Sequence, residues 1–169
     1  MSVLLVDPDE VWGPAIARLL IEEGDEVRVL TPHPLRWATR DVYVAPGDPL
    51  DPDLIERACT NVRTVVLTFL GRKVPMSLVD GVLTGATQAG TDRIVACAPS
   101  ADTDLLRALN GGGLSYVLVV TGRRGFLPKV TAEAHAVAQA VSAADDLAGA
   151  PRLVVDLTTE DGRAELRLA

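Results

Sequence analysis

Apolar residues recur along this chain in two different periods, which predicts strands alternating with helices. Uninterrupted apolar runs such as 3–6 and 64–70 are typical of strands buried on both faces, whereas apolar residues spaced three or four apart indicate amphipathic helices. The predicted strands cover residues 3–6, 26–30, 41–45, 64–70, 93–98, 114–120, 152–157 and 163–168. The predicted helices cover residues 14–23, 51–59, 75–89, 102–109 and 131–147, with a short irregular helix near 35–39.

The order of these elements predicts one α/β domain that spans residues 1–169. Strand and helix alternate almost throughout, which is typical of a doubly wound, mostly parallel sheet, here of about seven strands. The pair Asp161-Gly162 is a turn signal, so the segment 163–168 should form a C-terminal β-hairpin with the strand before it.

The composition changes this picture little, because it suits the same fold. Hydrophobic residues make up 48% of the chain and aromatic residues only 4%, with a mean hydropathy of +0.23. The core must therefore be built from Val, Leu, Ile and Ala, which suits buried parallel strands and close helix packing.

Charge and cysteine content narrow the classes of partner and compartment. The formal net charge is −7, and an acidic domain repels phosphate backbones and lipid headgroups, so neither nucleic acid nor a membrane is an expected partner. Cys59 and Cys97 each fall in an apolar segment, which predicts buried thiols in a reducing compartment. No signal-peptide pattern is present and no apolar run reaches about 18 residues, so we expect a cytoplasmic protein.

The first strand, turn and helix have the layout of a nucleotide-binding βα unit, but the turn is acidic. The strand 3–6 is followed by Asp7, Asp9 and Glu10 before Gly13. Glycines are usual there, because a phosphate approaches the backbone at the helix N-terminus. One interpretation is an acidic pocket that holds a metal or accepts a phosphoryl group. The other is that Asp9 caps the helix while Asp7 and Glu10 lie near its positive end.

Four segments in a shared order resemble the atypical short-chain dehydrogenase/reductases of the NmrA-like group. They are GDEVRVL at 24–30, GDPLD at 47–51, DRIV at 92–95, and GLSYVLVV at 113–120 with the loop 123–126 after it. The resemblance implies a Rossmann-like NAD(P)-binding fold over nearly the whole chain. It also implies that Asp48 and its neighbour Pro49 would lie against the adenine of the cofactor.

The chain departs from that family at the turn that would bind the pyrophosphate. The family's motif G-x-x-G-x-x-G falls on Asp7, Glu10 and Gly13, and only Gly13 is kept. Asp7 and Glu10 add side chains and negative charge where a pyrophosphate would bind. One pair of like charges a few ångströms apart costs about 3–4 kcal/mol at an effective dielectric near 20.

Other family positions have changed as well. NAD sites place Asp or Glu at the end of the second strand and NADP sites use a nearby Arg, whereas this chain has the run 31–33, Thr-Pro-His. No Tyr-x-x-x-Lys is present, and the sequence stops soon after the seventh strand, where the family has a larger substrate-binding segment. These departures predict a pseudoenzyme with no catalytic residues.

Three functions stay open. The first is a non-catalytic accessory, regulatory or scaffold protein on a dehydrogenase fold, with no cofactor and no metal. The second is a small NAD(P)-dependent reductase or epimerase that binds its cofactor through Asp7, Gly13, Thr31, Asp48 and Pro49. The third is a receiver-like signalling domain with an acidic pocket, in which Asp48 would be the phosphoryl acceptor.

Two further features bear on ligands and partners. Arg123 and Arg124 lie between glycines, where they could bind an anion such as a phosphate or carboxylate, or form a solvated loop. Ala164, Leu166 and Leu168 leave an apolar stripe on the last predicted strand. Such a stripe needs a cover, which predicts a protein partner or a homodimer.

Overall fold

The computed structural model describes residues 2–8, 12–38, 41–69, 73–122, 134–135, 138–141, 152–157, 159 and 161. Seven strands lie within these residues: β1 (Ser2–Val6), β2 (Glu26–Thr31), β3 (Tyr43–Pro46), β4 (Thr64–Thr68), β5 (Arg93–Ala98), β6 (Ser115–Val120) and β7 (Arg152–Asp156). Four α-helices lie within residues 2–122 as described, α1 (Trp12–Glu22), α2 (Pro52–Cys59), α3 (Met76–Gln88) and α4 (Thr103–Gly111), together with a 3-10 helix at Pro34–Trp37. Residues 134–135 and 138–141 are also helical.

The strands form one sheet in the order β3-β2-β1-β4-β5-β6-β7. Every neighbouring pair is parallel. The chain moves outward from β1 to β3 and then crosses back to β4, so the strand order reverses between β1 and β4. This is the order of a Rossmann fold, in which ligands bind beside that reversal at the carboxyl ends of the strands. The predicted doubly wound α/β fold is confirmed.

The sheet separates two hydrophobic cores. Val3 and Leu5 of β1 point into the core that contains α1 and the helical residues 134–141 that are described. Leu4 and Val6 point into the core that contains α2, α3 and α4. All four side chains are buried, as expected for a parallel strand covered by helices on both faces.

Helix ends follow the chemistry of the sequence. The carboxylate of Asp51 accepts hydrogen bonds from the backbone N–H groups of Asp53 at 3.0 Å and Leu54 at 3.3 Å, which starts α2. Asp102 starts α4 in the same way through the N–H of Asp104 at 2.8 Å. Gly24 follows α1 with a φ of +92°, the left-handed conformation that favours glycine at a helix end.

Several predicted boundaries shift by one to two residues. The helix α1 begins at Trp12 rather than 14, and β3 begins at Tyr43 rather than 41. Pro75 lies just before α3 instead of in its first turn, because α3 begins at Met76. The predicted β-hairpin strand 163–168 lies outside the described residues and stays a prediction.

Pro46 ends the outer strand β3 without disturbing the sheet. The N–H of the next residue, Gly47, donates to the carbonyl of Thr31 in β2 at 3.0 Å. The backbone N–H groups of successive strand residues point to opposite sides, so the nitrogen of Pro46, which has no hydrogen to donate, points away from β2, as in other prolines of edge strands.

No helix within the described ranges is both long and apolar enough to cross a bilayer.

Candidate functional site

The carboxyl ends of β1, β2 and β3 bring together four of the residues singled out in the sequence. Asp7 follows β1, Thr31 ends β2, and Asp48 and Pro49 follow β3. The N–H of Asp7 donates to the carbonyl of Leu30 in β2 at 2.8 Å. With the bond between residues 47 and 31, this ties the three loops to one edge of the sheet, where a Rossmann fold holds its ligand.

Asp7 has a backbone conformation that favours glycine. Its φ is +41°, in the left-handed region that L side chains rarely adopt. Its side chain is partly buried and has an interaction within the protein. The left-handed backbone is therefore present with an aspartate side chain, which adds negative charge to the turn as the sequence indicates.

Gly13, the third position of the glycine motif, is enclosed by two side chains. A Cβ at Gly13 would lie 2.6 Å from Cβ of Pro8 and 3.2 Å from Cζ2 of Trp37. Real Cβ atoms do not approach another carbon as closely as the first distance. Gly13 therefore lets the start of α1 lie directly against the turn after β1, which is the packing role predicted for it.

Trp37 reaches this turn from the 3-10 helix, and its side chain is buried in the core beside α1. The residue before it, Arg36, is exposed. No Asp, Glu or Arg occupies residues 31–33, and the first arginine after β2 is Arg36 in the 3-10 helix. The signal for this was the pair of prolines, Pro32 and Pro34, which forces a short, tight helix after β2.

Thr31 and Asp48 are used by their own loops. The hydroxyl oxygen of Thr31, which is buried, accepts a hydrogen bond from the N–H of His33 at 3.1 Å. The carboxylate of Asp48 accepts from the N–H of Leu50 at 2.9 Å, and the side chain of Pro49 is buried. These contacts fix the shape of both loops before any ligand is present.

The ends of β5 and β6 are joined to each other beside this site. The carbonyl of Ala98 accepts from both the N–H of Thr121 at 3.0 Å and its hydroxyl at 3.4 Å. Arg123 and Arg124 lie outside the described residues, so their predicted role in anion binding stays a prediction. Asp9 and Glu10 lie outside them as well, and so does the helix cap expected of Asp9.

Tyr116 is excluded as a catalytic residue by its position. It lies at the start of β6, at the opposite end of the strand from the site, and its side chain is buried. Its hydroxyl lies 3.2 Å from the side-chain oxygen of Asn110 and donates to it. This agrees with the absence of a Tyr-x-x-x-Lys pair from the sequence.

The receiver-like interpretation is wrong in its topology. A receiver-type sheet has the order 2-1-3-4-5, in which β1 lies next to β3. Here β1 lies between β2 and β4, and β3 is the outer strand. Asp48 follows that outer strand and cannot act as an acceptor at the centre of an acidic pocket around Asp7. Within the part of the chain that is described, no group of three His, Cys, Asp or Glu residues could hold a metal ion.

The turn fits a dinucleotide in its backbone and opposes one in its charge. The left-handed φ of Asp7 and the enclosed Gly13 keep the path by which phosphates reach the N-terminus of α1. The carboxylate of Asp7 weakens the attraction that the helix N-terminus exerts on an anion. The described residues of the turn therefore combine a glycine-like backbone with an added negative charge.

Solved structures of enzymes share this fold. Triphenylmethane reductase of Citrobacter sp., complexed with NADP(H), superposes with a TM-score of 0.71 at 12% identity, over 93% of this chain and 70% of that one. WbmH of Bordetella bronchiseptica, in complex with NAD+, superposes with a TM-score of 0.64 at 16% identity, over 92% and 74%.

A third solved structure has nearly the same length as this chain. ChuY, an anaerobillin reductase from Escherichia coli O157:H7, superposes with a TM-score of 0.69 at 15% identity, over 92% of this chain and 96% of that one. No protein-family model matches the sequence, and no curated protein matches it. At these identities the likeness establishes the Rossmann fold shared with NAD(P)-binding reductases, and nothing finer.

Proposed function

We propose that this protein binds a nicotinamide dinucleotide at the carboxyl ends of β1, β2 and β3 and acts as a small reductase or epimerase. The observation that carries the proposal is the left-handed backbone of Asp7, with a φ of +41°, beside the enclosed Gly13. A turn that had lost its ligand had no need to keep a strained conformation at an aspartate. We also propose that the protein belongs to the NmrA-like group and is cytoplasmic.

Different residues of the site would bind different parts of the dinucleotide. The N-terminus of α1 and the turn around Gly13 would hold the phosphates, and the loop at Asp48 and Pro49 would lie against the adenine. A bound nicotinamide would supply the hydride for reduction. The protein would hold the ring over the ends of β4, β5 and β6, where Phe69 is already tied to β5 through the carbonyl of Cys97 at 2.8 Å.

Arg36 favours the phosphorylated form of the cofactor. It is exposed, and it precedes Trp37, whose ring contacts the start of α1. An arginine just after β2 is where a Rossmann fold accommodates the 2′-phosphate of NADP, and no Asp or Glu takes the place of an NAD selector at 31–33. We therefore expect NADPH to bind more tightly than NADH.

One solved structure supports a reductase on a fold of this kind. The sequence predicts a pseudoenzyme in part because the family's larger substrate-binding segment does not follow the seventh strand in it. ChuY, a reductase by its name, is covered over 96% of its length by this chain. A fold of this size therefore leaves room for a reductase in which the strand-end loops form the substrate pocket.

The second candidate function is a non-catalytic accessory protein that binds a protein partner. It is favoured by the carboxylate of Asp7 at the phosphate turn and by the absence of a Tyr-x-x-x-Lys pair. The two candidates differ in a simple observable, since only the first requires a nicotinamide cofactor to bind and react.

Cofactor binding tests the proposal directly. The only two tryptophans, Trp12 and Trp37, adjoin the turn, so their fluorescence should respond to a bound nicotinamide and transfer energy to NADPH. We expect calorimetry to detect NADPH below about 1 mM, the upper range of ordinary Michaelis constants. Arg36→Ala should weaken NADPH about tenfold and leave NADH unchanged, while Arg107→Ala on α4 should change neither.

Turnover separates the two candidates. NADPH oxidation should be measured with quinone and triphenylmethane-dye acceptors, two substrate classes of the structural neighbours. Binding with turnover supports the reductase. Binding of neither nucleotide at about 1 mM would sink the first candidate and leave the accessory protein.

A further inference from the structure

An apolar groove runs along one side of α1, from Pro14 in its first turn to Glu22 at its end. Its volume is about 270 Å³. In the described residues of the connection from β2 to β3, 32–38 and 41–42, the one helix is the 3-10 helix Pro34–Trp37, where a full crossover helix is usual in a doubly wound fold. The groove lies between α1 and residues 41–42 of that connection. The groove floor is formed by Pro14, Ala17, Ile21 and Val42.

We propose that this groove receives α1 of a second copy of the chain, packed antiparallel about a two-fold axis. A two-fold interface brings the same patch of both copies together, so the patch must be complementary to itself. The groove floor is complementary to itself because it is apolar along the length of α1. The charged residues on the rim are complementary to themselves as well, and they determine how the two α1 helices align.

The rim carries Arg18 and Glu22, one helical turn apart, with exposed side-chain fractions of 65% and 59%. Within one copy they form only a long contact of 3.7 Å between Nε and Oε1, which contributes little at the surface. About a two-fold axis that crosses α1 midway between them, Arg18 of each copy lies opposite Glu22 of the other. Two intermolecular pairs form at once.

Charge also favours a second copy over a partner of one sign. The groove is lined by one arginine, Arg18, and by two acids, Glu22 and Asp41. A strongly acidic or strongly basic partner would therefore meet like charge somewhere along the rim. A second copy presents an arginine to each acid and an acid to each arginine. Asp41 of one copy provides a second carboxylate near Arg18 of the other.

Charge reversal at two positions tests the interface without touching its apolar floor. In Arg18→Glu every copy has only acids at the two positions, and in Glu22→Arg every copy has only bases. Sedimentation velocity should show the wild type as a concentration-dependent dimer, and each single variant should dimerise about tenfold more weakly or worse. An equimolar mixture of the two variants should form a heterodimer, and the double variant R18E/E22R should form a homodimer again.

Controls separate lost pairing from lost folding. Arg107→Glu breaks a comparable exposed pair with Asp104, at 2.7 Å on α4, and should leave the dimer intact. Thermal unfolding at a concentration low enough for every protein to be monomeric should give similar midpoints for all variants, because association itself raises the midpoint. A monomeric wild type would overturn the proposal, and so would a dimer unaffected by Arg18→Glu or variants that fail to pair when mixed. None of these outcomes depends on cofactor binding, so the proposed function stands or falls separately.

Discussion

The position of a Cβ at Gly13 lies 2.6 Å from Cβ of Pro8. The turn after β1 and the first turn of α1 therefore touch without room for even a methyl group. Cζ2 of Trp37 lies 3.2 Å from the same Cβ position. This packing holds the N-terminus of α1 at the carboxyl end of β1, where a phosphate would bind.

Replacing Gly13 by alanine should lower stability and disrupt the turn. Because the added methyl meets the ring of Pro8, which is held in the chain, the cost should be about 1–3 kcal/mol in the free energy of unfolding, measured with urea. Gly111→Ala is a matched control, since a Cβ there meets nothing within 4 Å. Equal effects of the two substitutions would contradict the crowding at Gly13.

Replacing Asp7 by glycine should raise stability and strengthen nucleotide binding. A residue other than glycine pays about 1–2 kcal/mol for the left-handed conformation, so part of that should be recovered on unfolding in urea. Removing the carboxylate should also raise NADPH affinity at least about tenfold, since one like-charge pair costs several kcal/mol at an effective dielectric near 20. The backbone bond from Asp7 to Leu30 is kept.

Asn61 provides the control for Asp7. It is the other described residue besides glycine with a positive φ, at +60°. Asn61→Gly should raise stability by a similar amount and leave NADPH affinity unchanged. Asp7→Asn should raise affinity without the gain in stability, and identical affinities for Asp7→Asn and the wild type would show that charge does not limit binding.

The sheet could be predicted from the sequence because its strands are signalled locally. Runs such as 65–67 and 94–98 are apolar throughout, which is the pattern of a strand buried on both faces. Strand β5 occurs at its predicted bounds, Arg93–Ala98. The observed helix starts differ from the predicted ones where the sequence allows a helix to begin at more than one residue, as near Trp12 and Pro75.

The site was less predictable because its geometry depends on contacts between distant segments. The sequence places an acid at the first glycine position, but it does not tell that Asp7 adopts the glycine conformation. Trp37 reaches Gly13 from the 3-10 helix formed by residues 34–37, which places its side chain in the core beside α1. Such contacts follow from packing in three dimensions, which motif spacing does not record.

Cys59 should make stability fall at alkaline pH. It is fully buried at the end of α2, and burial raises its pKa from 9.0 to about 11, with opposing effects from the Thr91 hydroxyl and the Arg28 charge. Below the unfolded pKa the thiol is protonated in both states, so its contribution is fully present. Between pH 9 and 11 only the unfolded chain loses the proton, so stability should drop by about 2 kcal/mol.

The Cys59 effect is measured as a difference between the wild type and a variant without the thiol. Urea unfolding of the wild type and of Cys59→Ala should be compared from pH 8 to 11, a window set by the Cys59 pKa. The variant should start less stable, because a buried side chain is truncated, and should fall less steeply. Parallel curves would show that the thiol does not stay protonated in the folded protein.

Two glycines one turn apart on α3 should respond oppositely to alanine. A Cβ at Gly85 would lie 2.6 Å from Cγ2 of Ile55 and 3.1 Å from the backbone nitrogen of Glu56 in α2, whereas a Cβ at Gly81 would lie 3.4 Å from Cδ1 of Ile55. Gly81→Ala should therefore stabilise the protein by about 0.5–1 kcal/mol through helix propensity. Gly85→Ala should destabilise it by about 1–3 kcal/mol, because the backbone of α2 must move away.

Urea unfolding of the two variants isolates the contact between α2 and α3, because helix propensity is gained equally at both positions. The difference between them, about 2–4 kcal/mol, is then the cost of the close approach alone. Ile55→Val shortens the side chain near both glycines but leaves Cγ2 and the nitrogen of Glu56 in place, so it should not rescue Gly85→Ala. Rescue by Ile55→Val would show that a flexible side-chain end, and not the backbone of α2, sets the distance between the helices.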